Sequence, residues 1–277
     1  MSTDFQENSA PATAELPAVP ARFTGKVAVI TGASPFGIGG AIALRLAREG
    51  AALGLISRGA PGELLERLDS FKQPVVWNDC DVRDQGAVDR ARDACLGEFG
   101  QIDVLVNNAG IETAHDFENL SDEEWDELLD VNLTGVMRTT RAMLPALKES
   151  GGVVVNVSSC TALGGTPGLV AYSATKAGLN GMTQSLAVEM ADQGVRVVGV
   201  APALVRTPMA ARHVQRLTAD AWEKLQACHP LGIGVTQDVA AAVAFLASNE
   251  ARWISGVTLP LGWMPSYPLP FRSSEPD

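Results

Sequence analysis

Short apolar runs alternate with longer stretches of helical periodicity along most of the chain, and this alternation limits the possible folds most strongly. The predicted strands are residues 27–31, 52–56, 75–77, 104–106, 153–157, 195–200 and 257–261. The predicted helices are residues 39–49, 62–70, 85–99, 121–148, 169–192, 208–229 and 236–247. Strands that are apolar throughout and separated by helices are typical of parallel sheets covered on both faces. The sequence therefore predicts a doubly wound α/β fold with about seven parallel strands and helices on both faces.

No repeat or linker interrupts this alternation, so we expect a single domain over residues 23–263. Residues 1–22 are rich in Ala, Pro and acidic residues and are predicted to form a disordered extension. Residues 264–277 contain four prolines and are predicted to form an irregular tail. The first 20 residues carry no Lys, Arg or apolar run, which argues against a signal peptide.

Charge and cysteine usage narrow the class of protein further. The chain carries 21 Lys and Arg against 32 Asp and Glu, a formal net charge of −11, and such a field disfavours nucleic acid as a partner. Four cysteines without a CxxC pair and three scattered histidines predict no metal site and free thiols in a reducing compartment. The apolar run over residues 239–247 is far shorter than the roughly 20 residues that a bilayer requires. We therefore expect a cytoplasmic protein without membrane association.

A glycine-rich segment joins the first strand to the first helix. Gly32, Gly37 and Gly39 would let backbone amides approach a pyrophosphate, and the helix N-terminus would add positive potential. An ordinary Gly-rich turn is the alternative. After the second strand, Ser57 and Arg58 stand where many dinucleotide sites have a carboxylate for the ribose 2′-hydroxyl. Because Arg58 could bind a 2′-phosphate, the sequence favours NADP over NAD, with a solvated surface arginine as the alternative.

The ends of the third and fourth strands carry two further candidate motifs. Asp81 and Val82 follow the third strand, and the Asp81 carboxylate could accept a hydrogen bond from an adenine amino group. A surface carboxylate is an equal alternative for Asp81. Asn108, Ala109 and Gly110 follow the fourth strand, where small residues leave room for a flat ring or a sugar.

One of the two tyrosines, Tyr172, has a lysine four residues later, so Tyr172 and Lys176 would share one face of the predicted helix 169–192. A cation about 4 Å from the phenol, at an effective dielectric near 20, contributes roughly 4 kcal/mol and lowers the tyrosine pKa by about three units. The phenol would then approach the working range of an acid/base catalyst. A pair that merely decorates the helix is the alternative.

Two other polar positions complete the candidate reaction centre. Ser158 and Ser159 end the fifth strand, where ligands bind in open α/β sheets, and either hydroxyl could bond a carbonyl oxygen or simply serve the turn. Asn132 lies inside the predicted helix 121–148, although asparagine prefers helix caps. It would disturb the helix or hold a water, or else be an exposed surface residue.

In order and spacing, these motifs resemble the short-chain dehydrogenase/reductase family, in its compact branch of 3-oxoacyl-ACP reductases. The resemblance covers about residues 23–262 and implies a Rossmann fold and a nicotinamide cofactor. It selects Ser159, which stands 13 residues before Tyr172. It implies that Tyr172 exchanges the proton, Lys176 holds the nicotinamide ribose and lowers the tyrosine pKa, Ser159 orients the carbonyl, and Asn132 holds a relay water. The cofactor site that it implies comprises Gly32, Ser34, Phe36, Gly37, Ile38, Gly39, Ser57, Arg58, Asp81, Val82, Asn108, Ala109, Gly110, Tyr172, Lys176, Pro202, Val205 and Thr207.

Three positions depart from the family pattern. The glycine loop is one residue longer than usual, with Pro35 and Phe36 between Gly32 and Gly37. Ala203 replaces the glycine that usually follows the proline at 202, which reduces backbone freedom. Residues 261–263 replace the late Asp-Gly-Gly of many relatives. None of these changes removes a catalytic group.

The lid is predicted over residues 202–231, and an apolar pocket would be lined by Leu163, Leu169, Leu204, Met209 and Trp263, with His115 at its edge and Ser159 facing the substrate. If these residues do not belong to the core instead, the substrate is a medium-sized, largely apolar ketone or alcohol, such as an oxoacyl thioester or a cyclic ketone. A nucleotide-binding regulatory protein without turnover is the alternative function. The resemblance also implies a homotetramer or homodimer, with helices 121–148 and 169–192 packed around a two-fold axis.

Overall fold

The computed structural model describes residues 20–215 and 217–262. The N-terminal extension up to residue 19, Trp263 and the tail over 264–277 lie outside the described residues. Within them, seven strands form one sheet: β1 Val27–Thr31, β2 Ala52–Ser57, β3 Val75–Asp79, β4 Val104–Asn107, β5 Val153–Val157, β6 Arg196–Pro202 and β7 Thr258–Leu261. All pairings are parallel, in the order β3-β2-β1-β4-β5-β6-β7. The predicted α/β class, strand number and Rossmann topology are confirmed.

Nine α-helices surround this sheet in the described part of the chain. They are α1 Ile38–Arg48, α2 Gly62–Asp69, α3 Gln85–Phe99, α4 Asp122–Leu129, α5 Gly135–Ser150, α6 Val170–Met190, α7 Pro208–Val214, α8 Ala219–Ala227 and α9 Thr236–Ala247. Alternate residues of a strand face opposite layers. Thus Ile30 packs with Ile42 of α1 and Val243 of α9, whereas its neighbour Val29 packs with Met143 of α5 on the other face. The helices therefore cover both faces, as the apolar strands predict.

The prediction of one uninterrupted helix over residues 121–148 is wrong. A π-helical segment, Asp130–Thr134, separates α4 from α5. Asn132 lies in the middle of this segment, and its side-chain amide bonds the backbone of Ile111 instead of facing solvent. Single π-helical turns inside helices often mark functional sites.

The predicted helix over residues 208–229 is likewise two helices, α7 and α8. Thr218 begins the second one, because its side-chain oxygen accepts a hydrogen bond from the Ala221 amide at 3.2 Å. Threonine at this position satisfies an amide that lacks a partner within the helix. The lid consequently has two short helices with a corner between them.

A chain of buried hydrogen bonds crosses the core one residue below the end of β4. Asn107 donates to the side chain of Asn156, its register partner on β5, at 2.9 Å, and to Thr140 at 3.0 Å. Asn156 donates to Thr183 of α6 at 2.9 Å, and Thr139 of α5 donates to Asn107 at 2.6 Å. All five side chains are buried, so each amide needs these partners.

The strand order reverses direction between β1 and β4, which are neighbours although two strands separate them in sequence. From β1 the chain builds the sheet toward β3, and from β4 it builds toward β7. In open α/β sheets, ligands bind outside the carboxyl ends of the strands at such a switch point. The glycine segment after β1 and residues 108–110 after β4 lie at this position.

Candidate active site

The glycine segment after β1 is packed so closely that side chains cannot be accommodated at several of its positions. Gly32 has a φ of +71°, and a Cβ on it would lie 2.7 Å from the Ala109 Cα. A Cβ on Gly39 would lie 2.5 Å from both the Gly32 carbonyl oxygen and the Asn108 side-chain nitrogen. Gly40, which the sequence analysis left unassigned, would overlap the Ser34 carbonyl oxygen with a Cβ. The glycines therefore bring the segment, β4 and the start of α1 into direct backbone contact.

The N-terminus of α1 opens onto the same place. Gly37 is its N-cap residue and provides no side-chain hydrogen bond to the first turn, which contains no acidic residue. The first amides of a helix lack partners within the helix, and the helix dipole makes this end positive. A close backbone cradle at an uncapped helix N-terminus fits a pyrophosphate.

The turn after β4 is fixed by two reciprocal sets of hydrogen bonds. The Thr31 hydroxyl oxygen accepts hydrogen bonds from the Asn108 and Ala109 amides, each at 3.0 Å. The Asn108 side chain donates to the carbonyls of Thr31 and Gly32, both at 3.0 Å. Asn108 thus acts by holding the glycine segment against β4, and Thr31 does the complementary work that sequence reasoning missed.

At the far end of the site, Arg58 and Asp81 do not stand alone. The Arg83 guanidinium lies 2.7 Å from the Asp81 carboxylate, and this hydrogen-bonded pair lowers the Asp81 pKa despite partial burial. Arg58 reaches the same carboxylate at 4.0 Å but leaves 63% of its side chain exposed. The Ser57 hydroxyl accepts from the Trp77 indole at 2.9 Å. Arg58 is therefore the side chain here with the most freedom to meet a ligand.

The insertion at Pro35 and Phe36 is anchored from α2. The Arg67 guanidinium donates to the Pro35 carbonyl at 3.1 Å, and Phe36 stays 49% exposed at the cavity mouth. The longer loop therefore keeps a defined backbone position and presents an aromatic ring beside the glycines.

Tyr172, Lys176 and Ser159 meet at the carboxyl end of β5. Tyr172 and Lys176 lie one turn apart on α6, and the Lys176 ammonium is 5.6 Å from the centre of the Tyr172 ring. The ammonium also donates to the Val157 carbonyl at 2.9 Å. The Ser159 hydroxyl oxygen accepts from the Thr161 amide and hydroxyl at 3.2 and 3.0 Å. The Ser158 hydroxyl instead donates to the Lys176 carbonyl, which supports the choice of Ser159 as the substrate-facing serine.

The prediction that Lys176 lowers the Tyr172 pKa is wrong. Burial raises the pKa of Tyr172 far above its usual value, the Glu112 carboxylate raises it further, and a hydrogen bond with Ser159 opposes them. Burial also lowers the pKa of Lys176 from about 10.5 to about 8, because desolvation disfavours its charged form. The phenol is therefore held in its protonated form at neutral pH, ready to donate.

The buried Lys176 should make the stability of the protein depend on pH. Between about pH 8 and about pH 10.5 the unfolded chain holds the lysine proton and the folded chain has released it. Stability must then rise with pH in this window. Relative to a Lys176→Met variant, the free energy of unfolding of the wild type should increase across the window by up to about 3 kcal/mol. Urea titrations at several pH values measure this difference, and a difference that does not change with pH would contradict the prediction.

Asn132 connects the reaction centre to the loop after β4. Its side-chain oxygen accepts from the Ile111 amide at 2.9 Å, and its amide group donates to the Ile111 carbonyl at 2.9 Å and to the Thr175 hydroxyl at 3.2 Å. Thr175 in turn donates to the Tyr172 carbonyl at 2.7 Å. Both amide donors of Asn132 are used inside the protein, so its side chain positions Ile111 against α6.

A continuous cavity of about 730 Å³ runs from the glycine segment to the lid, a size typical of ligand sites. Most of the predicted site residues line it. Asn132 and Gly39 do not, because they act from behind the wall, and Leu163 does not, because its partly exposed side chain lies elsewhere. Leu204, Met209 and Leu169 line the predicted apolar end. His115 is not among the lining residues and pairs with Glu124 at 2.9 Å.

The cavity also contains residues that the sequence analysis missed, including Glu112, Thr161, Arg212 and His229. His229 is buried and braces the lid. Its Nε2 accepts from the Leu204 amide at 3.0 Å, and its Nδ1 lies 2.7 Å from the Leu225 carbonyl of α8. Isolated histidines and glutamates carry no pattern, so no feature of the sequence identifies them.

Two further properties concern the described residues only. They contain no group of three or more His, Cys, Asp and Glu side chains placed to hold a metal ion. None of their helices is long and apolar enough to cross a membrane.

This fold and cavity define a class of nucleotide-binding α/β enzymes, and comparison with known proteins gives the family. A family model described as enoyl-(acyl carrier protein) reductase matches residues 32–261. The chain is 37% identical over 239 residues to the 3-oxoacyl-[acyl-carrier-protein] reductase of Thermotoga maritima, covering 85% of this chain and 95% of that protein. It is 36% identical over 252 residues to 3β-hydroxysteroid dehydrogenase 1 of Eggerthella lenta, covering 88% and 95%.

Solved structures agree. Carveol dehydrogenase from Mycobacterium avium, crystallised with NAD, superposes with a TM-score of 0.80 at 32% identity, over 87% of this chain and 97% of that one. The chain belongs to the short-chain dehydrogenase/reductase family, as its motifs predict. It is accordingly an oxidoreductase that acts on CH–OH or carbonyl groups.

Proposed function

We propose that the protein interconverts a secondary alcohol and a ketone by hydride transfer, with Tyr172 as the acid/base. The observation that carries this proposal is the single cavity that joins the glycine segment to Ser159, Tyr172 and Lys176. A dinucleotide that binds with its pyrophosphate at the N-terminus of α1 would extend along this cavity toward Tyr172. The same arrangement leaves the lid side free for a substrate.

The residues present fit a nicotinamide dinucleotide. Gly32, Ser34, Gly37 and the first turn of α1, which includes Ile38, would hold the pyrophosphate, with Gly39 supporting the turn from behind. Ser57, Arg58, Asp81, Val82 and Phe36 would surround the adenosine, and Asn108, Ala109, Gly110, Pro202, Val205 and Thr207 would border the nicotinamide half together with Tyr172 and Lys176. When bound, the nicotinamide supplies or accepts the hydride.

The protein residues would supply the proton and the orientation. In reduction, the Tyr172 hydroxyl donates a proton to the carbonyl oxygen, and its raised pKa keeps that proton available at neutral pH. Ser159 donates a hydrogen bond to the same oxygen. Lys176 holds the nicotinamide ribose, and Asn132 acts as a positioning residue through Ile111 and Thr175. A relay water at Asn132 would use the oxygen atoms of this residue, because both side-chain donors are already engaged.

The substrate is a medium-sized, largely apolar carbonyl compound or alcohol, such as an oxoacyl thioester or a cyclic ketone. Leu169, Leu204 and Met209 support this, because they line the lid end of the cavity. The names of the relatives, which include an oxoacyl reductase and a hydroxysteroid dehydrogenase, point in the same direction. A panel in which only free sugars or polyols react would contradict this substrate class.

NADPH is the preferred cofactor in this proposal, because Arg58 is the exposed cation at the adenosine end. An Arg58→Ala variant should bind NADPH about tenfold or more weakly while binding NADH as before, since a charge-assisted hydrogen bond to a phosphate contributes about 1.5–3 kcal/mol. Fluorescence titration with both cofactors measures this. Arg90→Ala, which removes an exposed arginine of α3 away from the cavity, is the control. An unchanged NADPH preference would favour NAD.

Titration with both cofactors, followed by a panel of ketones and oxoacyl thioesters, tests the function as a whole. Turnover supports the oxidoreductase, whereas tight cofactor binding without oxidation of either cofactor across the panel would favour a regulatory nucleotide-binding protein. We also propose a homotetramer or homodimer, because Met137 of α5 and Val170 and Val188 of α6 expose apolar surface on the helices expected to pair. Four free thiols support a cytoplasmic location.

A further inference from the structure

Glu112 occupies a position beside the reaction centre to which no role has been assigned. It follows Ile111, whose amide and carbonyl are both bonded by the Asn132 side chain at 2.9 Å. Asn132 is tied through Thr175 to the Tyr172 carbonyl. This chain of hydrogen bonds fixes the backbone at Glu112 relative to the helix that carries Tyr172.

The Glu112 carboxylate acts on the substrate side of the cavity. Glu112 lines the cavity together with Ser159, Thr161 and Leu169, and its charge raises the pKa of Tyr172. The other acidic residue among the described lining residues, Asp81, lies at the adenosine end and is paired with Arg83. A ligand whose carbonyl oxygen approaches Tyr172 therefore brings its neighbouring atoms close to a negative charge.

We propose that Glu112 is a specificity-determining residue, which admits substrates whose groups next to the reacting carbon are uncharged, hydroxyl donors included, and rejects substrates with a carboxylate there. This inference rests on the proposed function, because it concerns the same site. Like charges in a partly desolvated cavity repel, whereas a hydroxyl can donate a hydrogen bond to a carboxylate. A remote anionic group is not affected, since Arg212 lies on the lid side of the cavity.

Two probes of equal shape test the charge discrimination without turnover. Calorimetric titration should show that the wild type loaded with NADPH or NADH binds cyclohexanecarboxamide about tenfold more tightly than cyclohexanecarboxylate. In Glu112→Gln the ratio should fall toward one. Glu118→Gln, an exposed glutamate of the same loop, should keep the wild-type ratio. Equal affinities in the wild type, an unchanged ratio in Glu112→Gln, or failure of both probes to bind would overturn the inference.

The pH dependence of alcohol oxidation provides a second readout that a purely structural role would not change. Removing the carboxylate lowers the Tyr172 pKa, so the alkaline rise in oxidation rate should begin at lower pH in Glu112→Gln. Lys176 and Cys160, the other titratable groups beside this phenol, remain in place in that variant. An unshifted rise would count against the inference.

Cyclohexanone separates this inference from the proposed function. Turnover of cyclohexanone by a wild type that binds both probes equally would overturn the role of Glu112 and leave the oxidoreductase standing. Discrimination between the probes through Glu112, without turnover of any ketone, would support the charge selection and contradict the proposed reaction.

Discussion

Replacing Tyr172 with phenylalanine should reduce kcat for ketone reduction by about 10²–10⁴-fold, the usual contribution of a positioned proton donor. The substitution removes one hydroxyl from a side chain that lines the cavity and leaves the ring beside Lys176. Ser159 can still donate a hydrogen bond to the carbonyl oxygen, but its hydroxyl has no comparable acid function in this arrangement. We therefore expect a large loss in rate, measured under saturating cofactor and substrate.

Cofactor affinity separates a chemical effect from a structural one in this variant. Because the hydroxyl is removed and the ring is kept, Tyr172→Phe should bind NADPH or NADH with an affinity close to that of the wild type. A variant that retained kcat within about tenfold of the wild type would exclude Tyr172 as the principal proton donor. A parallel loss of cofactor binding would indicate a disturbed fold at α6.

Replacing Gly40 with alanine should abolish tight cofactor binding and destabilise the protein by about 1–3 kcal/mol, the range seen when atoms are forced into packed sites. The added Cβ would overlap the Ser34 carbonyl oxygen, which is backbone and cannot rotate away. The glycine segment would have to move from the N-terminus of α1. Thermal unfolding and cofactor titration of the same sample measure the two effects.

Gly97→Ala is the matched control for this prediction. Gly97 lies within α3 and is exposed, and a Cβ added to it would have no atom within 4 Å. Alanine there should stabilise the protein by up to about 1 kcal/mol through helix propensity and leave cofactor affinity unchanged. If Gly40→Ala bound cofactor as Gly97→Ala does, the close contact at Ser34 would have no functional consequence.

The strands were predictable because each is apolar throughout and bounded by polar or Gly-containing turns. Val153–Val157 and Val27–Thr31 appear in the structure with the predicted bounds. The site residues near Tyr172 were predictable because the order of strands in a doubly wound sheet places their carboxyl ends together. Local pattern and sheet topology thus specify most of the frame of the cavity.

Features that arise from contacts between distant segments were not predictable from local pattern. The π-helical segment at Asn132 exists because its side chain bonds Ile111, 21 residues away in sequence. The Tyr172 pKa is governed mainly by burial, which spacing to Lys176 does not reveal. Leu163 was assigned to the pocket from its position in the sequence, but its side chain turns away from the cavity.

The buried chain of Asn107, Asn156 and Thr183 has a consequence for folding. Apolar strands such as β4 and β5 could pair in several registers with little difference in burial, because valine can replace valine. A slip of one residue would separate Asn107 from Asn156 and leave amide groups without partners in the core, at about 1–3 kcal/mol for each unsatisfied group. Misaligned pairings are therefore disfavoured during folding, and the ends of β4 and β5 reach the cavity at matching heights.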